Sequence, residues 1–204
     1  MKRIRFRASP AVFLAAAGIA FAVLLGVRRS EAAANSDLSQ ADLDAIVAQA
    51  VASANVTASG FRTVPSAQTT KMQIAIVARD GKLLRVFSMT DAWVGSIDIA
   101  IAKARTGAFF SSNQNALTSR IVGLASQPGG PLWGIGASNQ IGVSGSAEFR
   151  NGIITFPGGV PLYKNGQLVG GIGVSGDGVD QDEAVAFAGA SGFAPGAGVA
   201  KLGF

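Results

Sequence analysis

The sequence predicts a domain of the α/β (α+β) class, with a central antiparallel sheet flanked by helices. Three observations carry this reading. Asp80-Gly81 and Asn165-Gly166 each lie between apolar runs. Both are hairpin signals, because a type I′ turn needs positive φ at its two central residues. Leu43–Ala54 and Ile97–Phe110 repeat small or apolar residues at three- and four-residue spacing, the period of a helix face. Finally, the order strand, turn, strand, helix occurs twice along the chain.

The first 34 residues stand apart. Lys2, Arg3, Arg5 and Arg7 precede an unbroken apolar run of 17 residues, Ala11–Val27. Ala32-Ala33-Ala34 supplies small residues before Asn35, so a secretory cut between Ala34 and Asn35 is expected. The alternative is an uncleaved inner-membrane anchor at residues 11–27. Such a helix reaches about 26 Å, just short of a hydrocarbon core of about 30 Å. Arg28 and Arg29 follow the run and keep the anchor open. The protein is thus expected to be exported, periplasmic or secreted.

This division decides the charge argument. The chain carries 17 basic and 12 acidic residues. Residues 1–34 hold six of the basic residues and one of the acids, leaving 11 of each in residues 35–204. The positive charge belongs to the leader, so no nucleic-acid partner is expected. Cysteine and histidine are absent. That excludes disulfides, a histidine-based triad and histidine-ligated zinc.

Within the domain, residues 35–204, Ser39 is placed to cap a helix starting near Gln40, with Asp42 and Asp44 in its first turn. Residues 55–70 read as a loop. Met72–Val77 and Lys82–Ser88 are strands. Ser96 is expected to cap the helix Ile97–Phe110, and Asn113 a second helix over Gln114–Leu124. Gln127–Gly152 is glycine-rich and poor in charge. Its PGGPLWGIGASNQIGVSG, Pro128–Gly145, echoes PGGVPLYKNGQLVGGIGVSG, Pro157–Gly176. Converged strand composition explains the likeness without a true repeat. If the echo is real, Trp133 is the counterpart of Tyr163 and the two face a common cavity. Gln167–Val174 is a buried strand and Gln181–Ala190 the last helix, capped by Asp180 with Glu183 as its box partner. Gly189–Phe204 reads as loose except where Phe193 tucks in.

Gly171, Gly173 and Gly176 match G-x-G-x-x-G. The dinucleotide fingerprint also needs a parallel second strand and an acid about 20 residues on. Neither follows here, so the glycines are assigned to close backbone packing. Asp177, Asp180, Asp182 and Glu183 lack the alternation of a calcium loop and read as the solvated start of a helix. Lys103 and Arg105 read as a solvated helix face or as partners for a ligand's carboxylates. No nucleophile–base set and no metal site are legible, and no catalytic activity is expected.

Three segments carry a family resemblance: IAIVARDGKLLRVFSM (Ile74–Met89), SIDIAIAKARTGAFF (Ser96–Phe110) and GGVPLYKNGQLVGGIGVSGDGVDQDE (Gly158–Glu183). Together they resemble the GlcG/HbpS-type haem-binding family, also found as a domain of PduO-type proteins. The likeness covers a core of about 41–193, with 127–152 as an insertion. It implies a profilin-like fold and homo-oligomers, export and haem binding in some members, and a sensor-kinase partner in one branch. Haem iron usually takes His, Cys, Met or Tyr. Beyond the leader this chain offers only Met72, Met89 and Tyr163. The candidate ligand-binding residues are then Lys103, Arg105, Thr106, Tyr163 and Met89, to which the echo adds Trp133. Lys103 or Arg105 would pair the propionates, and water or the Thr106 hydroxyl would meet the iron.

The resulting expectation is an exported, homo-oligomeric protein that binds haem or another flat amphipathic ligand. Two other readings stand beside it. One is a structural protein docking on an envelope partner without a ligand, and the other an accessory enzyme acting on a small organic acid.

Overall fold

The computed structural model describes residues 38–62, 68–133 and 152–204. The expected leader with its expected cut between Ala34 and Asn35, most of the segment read as an insertion (127–152) and most of the echo Pro128–Gly145 lie outside the described residues. Helix α1, Gln40–Ala54, begins in a capping box: the Ser39 hydroxyl accepts the Asp42 N–H, and the Asp42 carboxylate accepts the Ser39 N–H. Its apolar face, Leu43, Ile46, Val47, Ala50 and Ala54, is buried.

Strands β1 (Gln73–Ala78) and β2 (Leu83–Ser88) form the first hairpin, but not through the expected type I′ pair. Gly81 has φ +78° while Asp80 does not have positive φ, and the Gly81 N–H donates to the Ala78 carbonyl at 2.9 Å, which centres the turn on Arg79-Asp80. A 3₁₀ turn, Val94–Ser96, leads into α2, Ile97–Phe109. Ser96 makes no side-chain capping bond, contrary to expectation. It already has helical backbone angles, φ −85° and ψ −5°, whereas a capping side chain needs an extended residue.

The expected helix over Gln114–Leu124 is instead a short strand followed by a helix. Strand β3 is Asn115–Leu117 and α3 is Ser119–Ala125, capped by Thr118. The Ser112 hydroxyl accepts the N–H groups of Gln114 and Asn115, and the Ser111 hydroxyl that of Leu117. These bonds draw the backbone away from a helix. The tail is not loose either. Strand β6, Ala200–Leu202, pairs in parallel with β3, and Phe193 is buried as expected.

Strands β4 (Gly159–Lys164) and β5 (Gln167–Ser175) form the second hairpin. Asn165 at φ +53° and Gly166 at φ +75° provide the predicted turn. Helix α4, Val179–Gly189, is led by Gly178 rather than by Asp180, with no side-chain cap. The acids read as its capping set are drawn into longer-range contacts described below.

The main sheet is antiparallel throughout, in the order β2-β1-β5-β4. Alternation along the strands sorts its faces. Ile74, Ile76, Leu162, Ile172 and Val174 share a core with residues of α1 and α4. Ala75 and Val77 meet Ala100, Ala104 and Ala108 of α2 on the other face. There the fingerprint glycines have their use. A Cβ on Gly173 would lie 2.0 Å from the Ala100 carbonyl oxygen, and one on Gly171 2.3 Å from that of Ala104. Bare strand lets α2 seat directly on β5. The predicted sheet and flanking helices are therefore present, and the glycines serve packing.

Candidate functional site: a cleft with an aromatic rim

The close seating of α2 carries Lys103 into the interior. Ala100, Lys103, Ala104, Gly107 and Ala108 share one helix face, and that face is the buried one. Lys103 Nζ donates to Asp182 Oδ2 at 2.6 Å and to the Val174 carbonyl at 3.0 Å. The two charged side chains are 1% and 2% exposed. Asp182 Oδ1 accepts the Asp177 N–H at 3.1 Å. Burial pushes the lysine's pKa below its ordinary value, opposed by the attraction of Asp182. Burial likewise raises that of Asp182, opposed by Lys103. Both shifts favour the neutral forms, as removal from water demands.

A cleft of about 280 Å³ opens above this pair. Phe61, Trp93 and Phe156 stand at its edge, 75%, 63% and 57% exposed. Each is held through its backbone neighbourhood. The Asp177 carboxylate accepts the Gly60 N–H at 2.7 Å and the Ser59 hydroxyl, whose oxygen in turn accepts the Phe61 N–H at 3.1 Å. The buried Gln73 amide donates to the Trp93 carbonyl at 3.2 Å. The Ser119 hydroxyl donates to the Phe156 carbonyl at 2.6 Å and accepts the Gly159 N–H at 2.8 Å. Arg62 ties the two sides together by donating to the Asp91 carbonyl, in a turn where Asp91 has φ +64°. Exposed aromatic side chains on anchored backbone give the cleft apolar walls above a charge-neutral floor.

The acidic cluster is thus divided between tasks. Asp177 holds the Phe61 turn and Asp182 the lysine. Asp180 and Glu183 share Arg120 at 2.6 and 2.7 Å, joining α3 to α4. Among the described residues no group of three or more acidic side chains is arranged to hold a metal. No helix among them is long and apolar enough to cross a membrane.

Of the six residues singled out from the sequence, only Lys103 lines this cleft. It is not a solvated cation, because Asp182 already balances its charge. Arg105 lines a separate depression of about 510 Å³ with Asp98 and Ile154, and its Nε donates to the Gly81 carbonyl. The Thr106 hydroxyl is buried against the carbonyls of Ala102 and Ile154 and accepts the Ile154 N–H. Met89 lies in the main core, its sulfur accepting the Met72 N–H. Tyr163 is enclosed with Ala116, Leu168 and Val199, its hydroxyl donating to the Ser112 carbonyl at 2.7 Å. Burial pushes its pKa up to about 12. Trp133 is at the surface, so Tyr163 and Trp133 share no cavity among the described residues. Sequence reasoning missed Asp177, Asp182, Phe61, Trp93 and Phe156 as one group. The legible signal was a lysine on a helix face otherwise made of alanine and glycine.

Residues 38–191, which contain every side chain of the cleft, match the family model "Haem degrading protein HbpS-like". The chain belongs to the HbpS-like family. A 15.0 kDa protein of Citrobacter freundii, encoded between dhaT and dhaS, is 33% identical over 112 residues. That match covers 55% of this chain and 68% of the relative. Corrinoid adenosyltransferase PduO of the same organism is 32% identical over 113 residues, 55% of this chain but only 29% of PduO. Among solved structures, the complex of PduOC with haem matches with a TM-score of 0.57 and 25% identity. That match covers 78% of this chain and 96% of PduOC. The fold of PduOC is the fold seen here.

Proposed function

We propose that this protein is an exported, homo-oligomeric binding protein for a flat, amphipathic ligand, with haem as the first candidate. The observation that carries the reading is the cleft with Phe61, Trp93 and Phe156 exposed at its rim. Exposed aromatic side chains on fixed backbone offer large apolar contact at small entropic cost. Family membership and the haem complex of PduOC support a porphyrin as the ligand to try first.

The residues present fit the macrocycle better than its metal. The cleft walls are apolar, but the chain has no histidine or cysteine. Met89 and Tyr163 are enclosed elsewhere. The volume, about 280 Å³, lies just below the range of ligand pockets, about 300–1,000 Å³, so one edge of a porphyrin would enter while the rest lies against the rim. Lys103 is balanced by Asp182 and adds little for a propionate. Binding would then rest on apolar contact with the ring, and no iron chemistry is derived for this chain.

The test is a titration of the purified protein with haemin and, in parallel, with iron-free protoporphyrin IX. Saturable binding of both with similar affinity is the expected result. Binding of haemin alone would show an iron ligand and sink this mode. Binding of neither at micromolar concentrations would remove the ligand altogether. Steady bleaching of bound haemin in the presence of peroxide would replace binding with degradation. Native mass spectrometry of protein from its own envelope checks the remaining parts. A mass beginning at Asn35 in a multimeric ion supports export with cleavage and assembly, while an intact leader favours the anchor.

A further inference from the structure

We infer that Lys103 is a covalent capture group, condensing through Nζ with the carbonyl carbon of a small, flat aldehyde or ketone seated in the aromatic cleft. The inference shares the cleft with the porphyrin reading but does not need a porphyrin to bind there.

Three features of the site point to this chemistry. Lys103 is the one buried lysine among the described residues, and it lines the floor of an open cleft. Its ammonium has three protons, of which Asp182 and the Val174 carbonyl account for two. Beside it the chain is bare. Gly158 has φ +114°, and a Cβ there would lie 3.1 Å from Nζ and 2.7 Å from the Val174 oxygen. Glycine at this position avoids a methyl group wedged against Nζ and the Val174 oxygen, and a ligand would reach the nitrogen from the cleft that Lys103 lines. Third, a proton acceptor is already in place, since Asp182 Oδ2 is 2.6 Å from Nζ. Withdrawal from water weakens the hold of Nζ on its proton, and the carboxylate, although it favours the ammonium, is in place as the base that takes that proton.

The step balances within these groups. Asp182 takes a proton from the ammonium, leaving a neutral amine and a neutral acid. The Nζ lone pair attacks the carbonyl carbon, its C=O π electrons pass to oxygen, and a proton moves from nitrogen to that oxygen to give a carbinolamine. Asp182 then donates its proton to the hydroxyl, the C–O bond breaks, and water leaves. The product is a protonated imine facing the Asp182 carboxylate. Nothing is oxidised or reduced. Phe61, Trp93 and Phe156 would sandwich the flat body of the bound molecule, and a single ring suits a volume of about 280 Å³.

The experiment treats the whole protein with benzaldehyde at neutral pH in the presence of sodium cyanoborohydride, which reduces an imine to a stable secondary amine. Peptide mapping then locates the benzyl group. The expected result is modification at Lys103 ahead of the exposed Lys82 and Lys201. Asp182→Asn, if folded, should slow it by about a hundredfold, the range of a lost general acid–base group. Modification confined to surface amines on the wild-type protein overturns the inference, whatever the variant does. The haemin titration run on the same sample separates the two ideas. A protein that binds haemin but leaves Lys103 unmodified keeps the porphyrin reading and loses this one.

Discussion

Lys103 Nζ lies 2.6 Å from Asp182 Oδ2, although 79 residues separate the two in sequence. The bond joins α2 to α4 across the end of β5, and both side chains are withdrawn from water. Removing one member leaves the other buried and unbalanced, at a cost of about 3–5 kcal/mol. Lys103→Met should therefore be strongly destabilising in urea unfolding. Lys103→Met combined with Asp182→Leu should recover most of the loss, because an apolar pair has no charge to desolvate. A double variant no more stable than the single one would contradict this account.

The seating of α2 on β5 depends on absent side chains. Gly173→Ala would place a methyl group 2.0 Å from the Ala100 carbonyl oxygen. Backbone on both sides must move, and the expected loss is about 3 kcal/mol, the upper end for overpacking. Gly196→Ala is the control, since a Cβ there meets nothing within 4 Å. Thermal unfolding of the two variants should differ by several degrees or more, with the control near the parent.

The aromatic rim should matter for binding and little for stability. Phe61→Ala and Trp93→Ala remove exposed rings, so unfolding midpoints should stay close to the parent. Haemin affinity should fall by about tenfold for each, equivalent to about 1.4 kcal/mol. Tyr163→Phe should leave the Soret position unchanged, because its hydroxyl is bonded to the Ser112 carbonyl. A Soret shift in that variant would place the tyrosine oxygen at the iron instead.

Asp42 provides a pH test. The Lys164 ammonium at 2.7 Å, followed by the Ser39 hydroxyl and N–H, holds its pKa at about 2. A depressed carboxyl pKa contributes stability above the unfolded value of about 3.9 and loses it as pH falls toward 2. The acid limb of the stability profile should therefore weaken between these values as the capping box and the Lys164 bond are protonated away. In Asp42→Asn that part of the limb should flatten. An unchanged limb would show that Asp42 is not coupled to folding.

Local signals suffice where one short stretch decides the outcome. Asn165-Gly166 announced its turn because only residues tolerant of positive φ fit there. Ser39 and Asp42 form their box within a single helical turn. The failures share a cause. Asp180 and Glu183 have the spacing of a capping pair, yet Arg120 on another element takes both. Asn113 has the sequence position of a helix cap, but the Ser111 and Ser112 hydroxyls take up the nearby backbone N–H groups, and β6 returns from the far end of the chain to pair there. The candidate ligand residues scattered for the same reason, with Tyr163, Met89 and Thr106 already engaged in the interior.

The sequence by itself determined the second hairpin, the buried face of α1, the concentration of basic residues in 1–34 and the absence of histidine and cysteine, each set by backbone preference or plain composition. Only the tertiary structure decided which acid meets Lys103, and that Phe61, Trp93 and Phe156 share one cleft. Those pairings depend on where α2, α4 and the loops come to rest on the sheet. That placement follows from summed packing across the domain, with glycines letting a helix approach, and no local pattern encodes it.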